Sequence, residues 1–160
     1  MMQAIAKRPR LPKPLSLPLG LIPERANSLI FGKMLNYLFA TERAEGELDF
    51  LEDRIVRIQV TDASLSYALS LRDGLIAGVN GGEPANLTIS GTVYDYMLLI
   101  TGREDPDTLF FQRHLLMEGD TDLGVHLKNM LAAVDLDALP VPQAFRPMMD
   151  QCLSFYERLA

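Results

Sequence analysis

With 160 residues the chain fits one domain, long enough to bury a core and to leave room for a ligand-sized cavity, and too short for two domains of usual size. It is 48% hydrophobic and 22% charged, with a mean hydropathy of +0.08 and a net charge of −6. That charge repels nucleic acid, whose binding leaves a basic patch or stripe, and no apolar run reaches the length of a membrane span.

The first 23 residues, MMQAIAKRPRLPKPLSLPLGLIP, read as a proline-rich basic arm. Its prolines remove amide donors and favour extended backbone. Lys7, Arg8, Arg10 and Lys13 give the first fourteen residues +4 with no acid, leaving eleven basic against twenty-one acidic residues over the rest. Pro14, Pro18 and Pro23 break the stretch that a secretory signal would need as its apolar core, so a cytoplasmic chain is expected. Cations beside Leu15, Leu17, Leu19, Leu21 and Ile22 suit peripheral contact with an anionic membrane.

Pro23 stands where a first helical residue is tolerated, and a helix is expected from Glu24 to about Gly46. Leu29, Ile30, Phe31, Met34, Leu35, Tyr37, Leu38 and Phe39 cover more than one stripe of it. Either both sides are buried, or one side meets the core and the other a ligand, partner or membrane. RIVRIQV and SLSYALSL alternate apolar and polar residues with period two, and GLIAGVN continues as a third strand. Turns at Asp62-Ala63 and Arg72-Asp73-Gly74 make these three an antiparallel meander over residues 55–80. NLTISG supplies a fourth strand, with Leu87 and Ile89 on one face.

Thr92, followed three residues later by Asp95, forms the signature of a capping box opening a helix that stops at Gly102. Asp105-Pro106-Asp107 opens a helical turn carrying Leu109, Phe110 and Phe111. Arg113 to Glu118 is expected as a fifth strand, which places His114 in it, and a helix carrying Leu123, Leu127, Met130, Leu131 and Val134 follows. After Pro140 and Pro142, a last helix presents Phe145, Met148, Met149, Cys152, Phe155, Tyr156 and Leu159 on a broad apolar face. Three segments are expected: the arm 1–23, a body 24–141, and a C-terminal amphipathic helix within 142–160 that packs on the body or plugs it.

The residues of catalysis are not gathered anywhere in the sequence. His114 and His126 have no metal-ligand spacing, so no metal and no cofactor is expected. Cys152, the single cysteine, cannot form an intramolecular disulfide and is expected as a small buried side chain. Glu104, Asp105 and Asp107 sit where acids complement a helix start. The glycines match neither phosphate-cradling pattern. What remains is an α+β domain with surplus flexible and aromatic apolar side chains and no catalytic residue.

Two stretches resemble a known family. DPDTLFFQRHLLMEGDTDLGVHLKNMLAAVDL, Asp105 to Leu136, and GELDFLEDRIVRIQV, Gly46 to Val60, are similar to the UbiT family of ubiquinone-biosynthesis accessory factors, whose domain is of the sterol carrier protein type-2 kind. The sequence departs from that pattern at Asp53, where glycine is expected, and at Ala132, where acidic residues occur. The resemblance implies a mostly antiparallel five-stranded sheet covered by helices around an apolar tunnel. It implies a non-enzymatic role in oxygen-independent ubiquinone synthesis, binding an isoprenoid quinone precursor or a phospholipid. Partners would be peptidase-U32-like hydroxylation proteins, at the periphery of the inner membrane, and a homodimer is compatible with it.

In that frame the tunnel is expected to be lined by Tyr67, Leu69, Leu87, Ile89, Leu115 and Met117 from the sheet. Phe31, Leu35 and Leu38 from the first helix, and Phe110, Phe111, Leu123, Leu127, Met130 and Leu131 from later ones, complete it. Arg113, Glu118, Asp120, Thr121, Lys128 and Asn129 are motif residues expected to cap helices, form ion pairs or meet a partner. An alternative is an interaction scaffold whose oily faces bind protein or membrane without enclosing a lipid.

Overall fold

The computed structural model describes residues 23–79, 83–134 and 145–158. The basic arm before Pro23, Asn80 to Gly82, the segment carrying Pro140 and Pro142, and Leu159 lie outside the described residues. In chain order the elements are helices α1 (Glu24–Leu38) and α2 (Ala40–Ala44), a 3-10 turn (Asp49–Leu51), and strands β1 (Val56–Val60), β2 (Leu65–Arg72), β3 (Leu75–Gly78) and β4 (Leu87–Gly91). Helices α3 (Val93–Thr101) and α4 (Pro106–Phe111), strand β5 (Leu116–Gly119), and helices α5 (Thr121–Ala133) and α6 (Phe145–Arg158) follow.

The five strands form one sheet in the order β3-β2-β1-β4-β5. The expected meander is present: β1 with β2 and β2 with β3 are antiparallel, and the second turn carries Asp73 and Gly74 at φ 53° and 78°, the geometry of a tight Asp-Gly hairpin. β4 pairs antiparallel with β5 but parallel with β1, so the sheet is mixed with one parallel join. Register puts Val56, Ile58, Tyr67, Leu69, Leu87, Ile89 and Met117 on a single face. Arg57, Gln59, Ser66, Ser70, Thr88 and Ser90 alternate onto the other, as period two requires.

Two helices cover the apolar face. α1 lies over β2 and β3, where Gly32 and Gly78 permit close approach: a Cβ on Gly78 would come 2.8 Å from the Ser28 carbonyl carbon. The Ala68 amide, beyond the end of the β3 ladder, donates to Ser28 Oγ at 2.9 Å, which satisfies a polar group that burial would otherwise strand. Farther along α1, the Asn36 side chain exchanges two 2.7 Å hydrogen bonds with the Ile76 amide and carbonyl, taking the place of a sixth strand at the β3 edge. α5 covers the β1 and β4 side, where Val56, Leu87, Ile89, Leu123 and Leu127 form a buried core.

At the end of the sheet the Tyr96 hydroxyl lies 3.0 Å from the Gln59 carbonyl and 3.2 Å from that of Ile89, clipping together the parallel pair. Burial, and then the nearby Asp95 carboxylate, raise its pKa well above the usual phenol value. A second core, Met97, Leu98, Leu109, Leu115 and Leu153, joins α3, α4 and α6. The Thr92 and Asp95 capping box and the left-handed Gly102 stop, both expected, bound α3.

Three expectations need correction. The first helix breaks at Phe39 into α1 and α2, and its outer face is open: Leu29, Ile30, Met34 and Tyr37 are exposed among the described residues, so the helix is not buried on two sides. The fifth strand begins at Leu116, three residues late, because a helix stop occupies 113–115 and His114 lies outside the strand. Cys152 is exposed, since α6 docks through Met149, Leu153 and Tyr156, a stripe that turns Cys152 outward.

Candidate functional site

The α4 segment opens with Asp105, whose carboxylate accepts the Thr108 amide at 2.9 Å and the Thr108 hydroxyl at 2.7 Å. The backbone hydrogen bond from Thr108 and then the hydroxyl hold this carboxyl below its ordinary range, although the side chain is in water. The helix closes with the Arg113 amide donating to the Phe110 carbonyl and the His114 amide to that of Leu109. Arg113 sits at φ 60°, so this is a Schellman stop with arginine in the position that glycine usually takes. α5 is capped in turn by Asp120, which accepts the Leu123 amide at 3.1 Å. The expectation that these acids serve as caps holds for Asp105 and Asp120.

Between α4, β5 and the first half of α5 lies an open cleft of about 450 Å³. Leu87, Leu115 and Met117 line it from the sheet side, Phe110 from α4, and Gly124 and Val125 from α5. Arg113 and Lys128 stand on its rim. A second opening of about 550 Å³ shares Phe110 and Lys128 and continues past Phe111. The Lys128 ammonium pairs with Asp107 at 3.0 Å, tying α5 to α4 across the mouth. Both volumes fall in the range of small-molecule sites.

The remaining residues expected to meet a lipid divide between two places. Leu87, Ile89, Leu123 and Leu127 are buried in the core under α5, with Met130 and Leu131 packed against them and partly open. Phe31, Leu35 and Leu38 belong to α1, on the far side of the same sheet face. The Phe31 ring lies 4.5 Å from that of Tyr67, and both are half-buried, whereas Leu69 beneath them is buried. Burial raises the Tyr67 pKa. Phe111 stands apart, 89% exposed at the rim. Sequence reasoning missed Leu116, Gly124 and Val125, which line the cleft. The available signal was Gly124, a glycine inside a helix, which marks a close approach. Among the described residues no group of three or more metal-ligating side chains occurs.

A family model described as the SCP-2 sterol transfer family matches residues 34–132. Over 146 residues, 91% of this chain and 82% of the relative, the sequence is 36% identical to "Ubiquinone biosynthesis accessory factor UbiT" of Escherichia coli strain K12. The chain belongs to the UbiT family of SCP2-domain proteins. The UbiT relative from Escherichia coli O157:H7 matches with the same identity and coverage. A solved structure titled "UbiJ-SCP2 Ubiquinone synthesis protein" superposes with a TM-score of 0.52 at 16% identity, covering 63% of this chain and 89% of that one, a likeness of fold alone.

Two features of the family pattern acquire a physical reading. The long stretch from Asp105 contributes α4, β5 and α5, three walls of the cleft. Asp53, which replaces the glycine of the UbiT pattern, has φ 57°, a left-handed backbone that glycine adopts freely and aspartate at modest cost. The departure is therefore conformationally conservative. No helix among the described residues is long and apolar enough to cross a membrane.

Proposed function

We propose that the chain is a non-catalytic accessory factor of oxygen-independent ubiquinone biosynthesis that binds an isoprenoid quinone intermediate or a phospholipid. The observation that carries this reading is the cleft: apolar walls from sheet and two helices, with cations only at the rim, suit a long apolar tail with a polar head. The name of the curated UbiT relatives supports the pathway, and the resemblance of the Asp105 to Leu136 stretch supports oxygen independence. At about 0.8 kcal/mol for each buried methylene, a prenyl tail of several units does not stay free in water, so soluble enzymes acting on its ring need a carrier. The cleft and the half-buried Phe31 and Tyr67 region are the two ends of the tunnel in this reading, with the body spanning 24–141 and α6 as its wall or plug. Peptidase-U32-like hydroxylation proteins take the head group from the carrier, in the cytoplasm or at the inner membrane. Gentle purification followed by native mass spectrometry tests it: a quinone-like or phospholipid adduct is expected. Protein that stays lipid-free and ignores added quinone rejects the reading.

An interaction scaffold is the second reading, favoured by the outward stripes Ile30, Met34 and Tyr37 on α1 and Met148, Cys152 and Phe155 on α6. Both follow helical spacing and leave large apolar side chains in water. Ile30→Ser combined with Tyr37→Ser abolishes pathway activity with lipid content unchanged if this reading holds, and leaves activity intact if it fails.

A further inference from the structure

The rim of the cleft combines two features that folding alone does not ask for. Phe111 ends α4 with 89% of its surface in water. Two residues later Arg113 occupies a left-handed conformation that glycine would adopt without strain, and its side chain makes no ion pair among the described residues. The acids nearby are already engaged: Asp107 pairs with Lys128, Asp120 caps α5 and faces Arg54 at 3.9 Å, and Asp105 caps α4. The uncompensated charge beside the exposed ring is therefore positive, although the chain as a whole carries −6.

We infer that this rim is a membrane-docking portal: Phe111 inserts among lipid chains, Arg113 meets anionic head groups, and the cleft behind them opens toward the bilayer. The inference rests on the lipid-binding reading above and adds where the lipid enters. The strain at Arg113 fits this use, because strained backbone concentrates where a site needs a particular side chain. The Schellman stop fixes the spacing, since it ends α4 immediately after Phe111 and turns the chain into the strand whose Met117 lines the cleft. A lipid leaving the bilayer beside Phe111 meets Phe110 and Met117 next, without crossing water.

Flotation of the full chain with vesicles of phosphatidylcholine alone, and of phosphatidylcholine mixed with phosphatidylglycerol, tests the portal. Wild-type protein is expected to float with the mixed vesicles and far less with the neutral ones. Arg113→Gly lowers that binding about fivefold at low salt, and Phe111→Ser lowers it on the order of tenfold. Tyr37→Ser, which removes an equally solvent-facing ring on α1, leaves it unchanged. Thermal unfolding of each variant accompanies the assay; Arg113→Gly relieves left-handed strain, so flotation that fails there does not reflect failed folding. The portal is overturned if wild-type protein does not float, if both rim variants float as wild type does, or if Tyr37→Ser is the variant that fails. Dimerisation that depends on Phe111, without flotation, assigns the rim to a second copy and likewise overturns it. Native mass spectrometry separates the two levels: lipid-free wild-type protein rejects the carrier reading, whereas lipid-loaded protein whose flotation ignores both rim residues rejects the portal alone.

Discussion

Filling the cleft floor at Gly124 separates a ligand site from a packing defect. Gly124 is buried in the first turn of α5, where an added Cβ would lie 3.1 Å from Met117 Sδ and 3.5 Å from Leu87 Cδ1. Its φ is not in the left-handed range, so alanine recovers the helix propensity that glycine lacks, about 0.8 to 1 kcal/mol. The one tight approach is to the thioether of a flexible side chain, and a shift of a few tenths of an ångström in Met117 offsets part of that gain. Gly124→Ala is therefore expected to lie between neutral and about 0.5 kcal/mol more stable. Gly124→Leu adds three more carbons on the cleft side, enough to displace about three methylenes of a bound tail into water. At about 0.8 kcal/mol for each displaced methylene, binding weakens by about 2.4 kcal/mol, roughly fifty-fold. Denaturant unfolding measures the first number, and titration with a short-chain quinone analogue together with native mass spectrometry measures the second. Undiminished lipid binding in a stably folded Gly124→Leu protein would show that the cargo lies elsewhere. An alanine variant destabilised by more than about 1 kcal/mol would show that Met117 cannot move and that the packing argument is wrong.

Other outcomes follow from the backbone and the buried phenols. Asp53→Gly, which restores the glycine of the UbiT pattern at φ 57°, is expected to stabilise the protein by about 0.5 kcal/mol, read by chemical denaturation, because relief of left-handed strain exceeds the added freedom of the unfolded chain. Gly78→Ala places a methyl group 2.8 Å from α1 backbone that cannot rotate away, so a destabilisation of about 1 to 3 kcal/mol and a lower Tm are expected; unchanged stability would mean that α1 is not seated as described. Tyr67, Tyr96 and Tyr156 titrate later than an ordinary phenol, Tyr67 through burial and Tyr156 through burial and then the Asp62 carboxylate that its hydroxyl approaches at 3.4 Å. Since their folded pKa values are raised, the stability they contribute is present below the ordinary value of 10 and is lost as pH rises through the folded values. Phenolate absorbance should therefore appear in stages, with α6 loosening in the last of them.

What could be read in the sequence was local. Period-two alternation placed β1, β2 and β4, and one face of that alternation became the covered face of the sheet. The Thr92 and Asp95 spacing fixed the start of α3, because a capping box joins residues three apart. The parallel join of β1 to β4 could not be read, since it pairs Val56 with Leu87 across an intervening hairpin and no short-range pattern encodes it. Nor could the Schellman stop, because its signal is usually glycine and here the left-handed residue is Arg113. The α6 face misled for a different reason: seven apolar residues on one helix do not say which stripe docks, and docking through Leu153 and Tyr156 leaves Cys152 in water. The candidate cleft was half legible, through Phe110, Leu115 and Met117, while Gly124 and Val125 entered only once α5 was seen to cross β5.

The two hydrogen bonds between Asn36 and Ile76 make the sheet a one-ended object. An exposed edge strand is an invitation to pairing with another chain, and here a single side-chain amide closes one edge by imitating the peptide that would come next. Strand addition, whether by a partner or by another copy during misassembly, is thereby confined to the β5 side, the side on which the cleft opens. Traffic in lipid and traffic in protein would meet there, at one margin of the molecule, with the opposite margin sealed.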